Sequence, residues 1–103
     1  MIRHIALFSA NNEVDIVRII DGLALLTKIP HARRLEIARN AKKDQIENTI
    51  DVVVYGEFDS EAALAAYKAD ALYEESIKRV RPIWEVRLAV DYEVASAVEL
   101  RLT

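Results

Sequence analysis

Few side chains in this sequence are equipped for chemistry, and the first stands inside a strand-like opening, MIRHIALF. His4 is surrounded there by Ile2, Ile5, Leu7 and Phe8. An imidazole changes charge near neutral pH, which suits a general base. The structural alternative is a half-buried histidine bonded to Tyr67 or to backbone. Tyr67 and Tyr73 have apolar bodies with a polar tip, which suits a cavity wall and a packed helix stripe equally. Arg87 lies in an apolar run, where an unpaired buried guanidinium would be costly. Pairing with Glu85, Asp70 or Glu74, or an edge position that reaches water, is the expectation, and a ligand's carboxylate the alternative. Trp84, shortly after Pro82, reads as a packing anchor at the mouth of a cavity.

Much other chemistry is excluded. The 103 residues contain no cysteine, so disulfides and thiolate metal sites are ruled out. Gly22 and Gly56 are the only glycines and stand far apart, so no phosphate-cradling loop exists. His4 and His31 lack metal-ligand spacing, and no serine is marked by a triad partner. Neither a metal nor a cofactor is expected. The net charge of −3 gives no pull towards nucleic acid. Arg33, Arg34, Arg39, Lys42 and Lys43 are diluted by Glu36 and Asp44 and read as a solvated edge. No apolar run suits a membrane span or a leader peptide, so a cytoplasmic protein is expected, with no membrane partner.

The elements that must position these residues follow from periodicity. Residues 1–8 alternate, with Ile2, His4, Ala6 and Phe8 on one face and Arg3, Ile5 and Leu7 on the other. SANNEVD supplies a turn and a helix start, with Asn11 or Asn12 as cap. Val14, Val17, Ile20, Leu23 and Leu26, or their neighbours Ile16 and Ile19, recur at helical spacing until Ile29-Pro30 ends the helix. RRLEIARN predicts a second strand, AKKDQIEN a polar hairpin connection, and NTIDVVVYGEF a third strand rich in β-branched residues. A second helix begins at Asp59 or Ser60 and runs towards Pro82 through Leu64, Tyr67, Tyr73, Ile77 and Val80, with a break near Asp70 left open. IWEVRLAVDYEV is the fourth strand, with Trp84, Val86, Leu88, Val90 and Tyr92 on one face and Glu85, Arg87, Ala89 and Asp91 on the other. The alternating tail, residues 94–103, predicts an additional strand contacting a second chain.

The order β-α-β-β-α-β predicts an α+β, ferredoxin-like single domain with an extra C-terminal strand. Helices on one face leave the other face of the sheet bare, and neither face is polar enough for water. A second copy is expected to cover it, as a dimeric α/β barrel. RNA-recognition modules share this element order but place aromatics on the open face, where this chain has Ile5, Leu7, Val53 and Tyr55. RNA binding is not expected.

IRHIALF, the IP after the first helix, DVVVYGEFDSEAALAAY and RPIWEVRLAVDYEV together resemble the stress-responsive α/β-barrel (Dabb) family, from Met1 to about Val94. The resemblance implies a dimeric α+β barrel with a small apolar cavity between each sheet and its own helices. A plant relative in this family is a cofactor-free cyclase working through histidines and a tyrosine. His4 matches its first-strand histidine, and Tyr67 its tyrosine. Its third-strand histidine falls on Val52, and its His-Pro-x-His segment reads Asp70-Ala71-Leu72-Tyr73, with Tyr73 where the catalytic histidine would stand. Chemistry needing two imidazoles does not transfer.

The expectation is a homodimer holding a small, largely apolar organic ligand, with Phe8, Val52, Tyr73, Trp84 and Arg87 as ligand contacts. If there is catalysis, it is cofactor-free proton transfer on a carbonyl compound, with His4 as base and Tyr67 as hydrogen-bond donor.

Overall fold

The computed structural model of the chain describes residues 1–100. Four strands, β1 (Ile2–Ala10), β2 (Arg34–Arg39), β3 (Val52–Phe58) and β4 (Trp84–Glu93), form one antiparallel sheet in the order β2-β3-β1-β4. Three helices, α1 (Ile16–Leu23), α2 (Glu61–Ala69) and α3 (Ala71–Val80), complete the βαββαβ order.

Strand parity decides which residues meet the helices. Along β1, Ile2, His4, Ala6 and Phe8 are buried while Arg3, Ile5 and Leu7 are only partly covered, and β3 repeats the alternation. The helix-side residues Ala6, Phe8, Val52, Val54 and Phe58 form one core with Ile16, Ile19, Leu23, Leu26, Tyr67 and Val80. On the first helix the Ile16 and Ile19 stripe faces inward; Val14 and Val17 are exposed. Turns of 3₁₀ helix flank α1 at Glu13–Asp15 and Ala24–Lys28, and Ile29 ends the helical run in extended backbone. Asn12 precedes the first turn without a side-chain cap; its carbonyl accepts the Asp15 N–H instead.

The second helical segment breaks at Asp70. Ser60 caps α2 by accepting the Ala63 N–H, and Asp70 adopts extended backbone and caps α3 by accepting the Leu72 N–H. Asp70 therefore both terminates one helix and starts the next. Gly22 sets the contact between α1 and α3. A Cβ there would lie 2.7 Å from Val80 Cγ2, and Ser76 Oγ donates to the Gly22 carbonyl at 3.0 Å.

Strand β4 corrects one expectation. Its register with β1 slips beyond Ser9, so that Ser9 faces Val86 but Ala10 faces Trp84, and Glu85 is the extra residue. Such a bulge reverses side-chain parity. Trp84 consequently leaves the face of Val86 and Leu88 and packs on Phe8 with ring centroids 5.6 Å apart. Ser9 Oγ accepts the Val86 N–H beside the irregularity.

Of the expected additional strand over 94–103, the described part, 94–100, forms no strand within the single chain. Val94–Ser96 form a 3₁₀ turn, 97–100 have no regular structure, and 101–103 lie outside the described residues.

Candidate functional site

His4 is almost fully buried on the helix side of the sheet, at 1% exposure. Its position follows from register: the β1–β3 ladder sets it opposite Gly56, and the β1–β4 ladder opposite Asp91. His4 Nδ1 and Asp91 Oδ1 are 2.6 Å apart. With the carboxylate accepting, Nδ1 carries the hydrogen, and in the neutral ring Nε2 keeps the lone pair. The Asp91 side chain is 39% exposed, so this pair joins the interior to the surface at edge strand β4.

Aromatic rings surround the imidazole. Its centroid is 6.4 Å from Phe58 and 6.3 Å from Tyr67, both edge-on. Tyr67 in turn lies 4.9 Å from Phe58 and 5.2 Å from Tyr73. Burial holds the Tyr67 hydroxyl well above the usual phenol range, the neighbouring Tyr73 adds to the rise, and Arg87 opposes it. Tyr67 is therefore a protonated hydrogen-bond donor at physiological pH, not a base.

Arg87 faces Phe8 across the β1–β4 ladder, on the His4 side of the sheet. Among the described residues no carboxylate lies within ion-pairing distance, so the pairing with Glu85, Asp70 or Glu74 is not formed, and Arg87 stands half-buried on the edge strand β4. The guanidinium instead donates from Nη2 to the Tyr73 hydroxyl at 3.3 Å, and its buried Nε has no acceptor.

Two open clefts run along this edge. One, of about 780 Å³, is lined by Tyr73, Ile77, Trp84 and Arg87 together with Lys68, Lys78 and Arg81. The other, of about 450 Å³, is lined by Ile2, Leu64, Asp91 and Tyr92 among others. Of the predicted site residues, Tyr73, Trp84 and Arg87 share the larger cleft. His4, Tyr67, Val52 and Phe8 line neither and are buried in the interior. Sequence reasoning missed Asp91 as the partner of His4. Its signal was its place on the Arg87 face of β4, which needs the β1–β4 register to become a contact.

A ferredoxin-like α+β sheet with this element order defines the class of the chain, and the comparisons agree. The chain belongs to the stress responsive A/B barrel domain family, whose match covers residues 2–94. A dimeric ferredoxin-like protein of unknown function from Thermobifida fusca is 24% identical over 90% of each chain, with a TM-score of 0.76. A Dabb family protein from Mesorhizobium loti is 23% identical over 89% of this chain and 94% of its own, with a TM-score of 0.73. A protein from Arabidopsis thaliana is 20% identical over 97% of this chain and all of its own (100%), with a TM-score of 0.75. No curated protein matches the chain.

Proposed function

We propose that two copies of this chain pack through their open sheet faces, and that each holds a small, largely apolar organic molecule in the larger cleft between β4 and α3. The observation that carries the first half is the bare face itself. Leu88 and Val90 are each 55% exposed there, with Ile5, Leu7, Val53 and Val86 only partly covered beside them. A contiguous apolar sheet face marks an association surface. The Thermobifida relative is itself described as dimeric, which supports the reading. The tail from Val94 onward is assigned to the partner, since Val98 and Leu100 have no cover in the single chain. Solution mass tests this half: the wild-type chain and a Leu88→Lys variant should differ twofold. For the ligand, Trp84 is the one tryptophan and lines the cleft, so its indole resonance reports occupancy directly. A panel of aromatic ketones and acids that leaves that resonance unmoved would remove the second half.

The His4–Asp91 pair favours a second reading, cofactor-free proton transfer. Asp91 fixes the tautomer, Nε2 takes a proton next to a carbonyl, and the neutral Tyr67 hydroxyl hydrogen-bonds the developing oxyanion. Deuterium exchange at the α-carbon of a β-keto ester measures this. Undiminished exchange in a folded His4→Ala variant would sink it.

A further inference from the structure

The larger cleft carries more charge than an apolar ligand requires. Lys68, Lys78, Arg81 and Arg87 line it against Asp70 and Glu74 only, in a chain whose net charge is −3. Among the described residues none of the four cations has a carboxylate within ion-pairing distance. The Asp70 carboxylate is already engaged at the start of α3. Buried charges and donors in proteins are normally partnered. Arg87 breaks that rule, as Arg3 does on the opposite face of the sheet: its Nε–H is buried without an acceptor, and its Nη2 reaches only a long contact to Tyr73 in the cleft.

Resting on the ligand reading above, we infer that the molecule held in this cleft is an aromatic carboxylate, its carboxylate seated on Arg87. Nε–H and Nη2–H point from the same edge of a guanidinium, the edge that takes a carboxylate in a two-point contact, and because Nε is covered in the unliganded chain the Arg87 side chain must turn that edge into the cleft to bind. The Tyr73 oxygen accepts from Arg87, which leaves its own hydrogen free for the same carboxylate. The apolar body of the ligand meets Trp84 and Ile77 in the same cleft. Arg81, 5.8 Å over the Trp84 ring, adds positive charge above it. A flat ring ending in a planar anion matches this order of groups. A neutral ring of the same shape leaves the Arg87 edge without an acceptor.

The test uses the full chain labelled with ¹⁵N and follows the Trp84 indole N–H through titrations with benzoate, phenylacetate and 1-naphthoate, and with the corresponding amides. The carboxylates should move the resonance saturably and bind at least about tenfold more tightly than their amides. Arg87→Gln should abolish that preference, while far-ultraviolet circular dichroism shows the fold kept. Arg87→Lys should recover it in part, because the charge returns without the two-point edge. If that fold is lost in Arg87→Gln, raising salt on the wild-type chain substitutes: carboxylate binding weakens and amide binding does not. Amides that bind as tightly as acids overturn the carboxylate assignment and leave a ligand cleft standing. Acids and amides that both leave Trp84 unmoved overturn the cleft reading as well.

Discussion

At the scale of single residues, the site is a chain of packed rings, running from the buried His4 and Tyr67 to the half-buried Tyr73 and closed by charge at both ends. Asp91 closes the His4 end and Arg87 the Tyr73 end. Removing the Asp91 carboxylate leaves a buried ring nitrogen without an acceptor. Asp91→Ala should therefore cost about 1–2 kcal/mol in urea denaturation, towards the low end because the carboxylate is partly solvated. Asp91→Asn keeps an acceptor and should cost less. Tyr67 gives a pH signature. Its folded-state pKa is raised, so above about pH 10 the unfolded chain loses the phenolic proton while the folded chain keeps it. The unfolded state then binds fewer protons, so stability is whole below that pH and falls as pH rises. Tyr67→Phe should flatten the alkaline side of the stability profile, measured as the unfolding midpoint at successive pH values. An unchanged slope would contradict the burial argument. Tyr55, raised chiefly by its hydrogen bond to Glu57, contributes in the same direction and would keep part of the slope.

At the scale of elements, what was legible in the sequence is what local periodicity encodes. Alternation in MIRHIALF and DVVVYGEF placed His4, Phe8 and Val52 on the buried face, and Arg87 followed by parity on β4. Trp84 did not follow, because the extra residue Glu85 depends on the pairing of β1 with β4 and leaves no local pattern. The His4–Asp91 contact was hidden for the same reason: the two residues are 87 positions apart. The break at Asp70 had a local signal, an aspartate able to cap, but the apolar stripe continued across it and masked the boundary. Helix packing yields a prediction at this scale. Gly22→Ala gains helix propensity, yet its Cβ meets the fully buried, β-branched Val80, which has no space to retreat into. Overpacking should win, with a net loss of about 1–2 kcal/mol. The double variant with Val80→Ala should behave less than additively, because the truncated side chain makes room for the new methyl.

At the scale of the whole molecule, the decisive feature is a sheet with two apolar faces and helices on only one. The open face is graded. Leu7, Val53, Val86, Leu88 and Val90 occupy its middle, and Arg3 bonded to Tyr92, with Tyr55 bonded to Glu57, occupies one end. An apolar centre beside a polar margin is the anatomy of an interface. A lysine at the centre must be desolvated without a counter-charge when two such faces meet, so Leu88→Lys should separate the copies while each chain stays folded. Light scattering of the purified chain at micromolar concentration, beside that variant, tests this most directly. Wild type is expected at twice the 11.7 kDa chain mass and Leu88→Lys at 11.7 kDa. A wild-type mass of one chain, or an unchanged dimer in the variant, would contradict it.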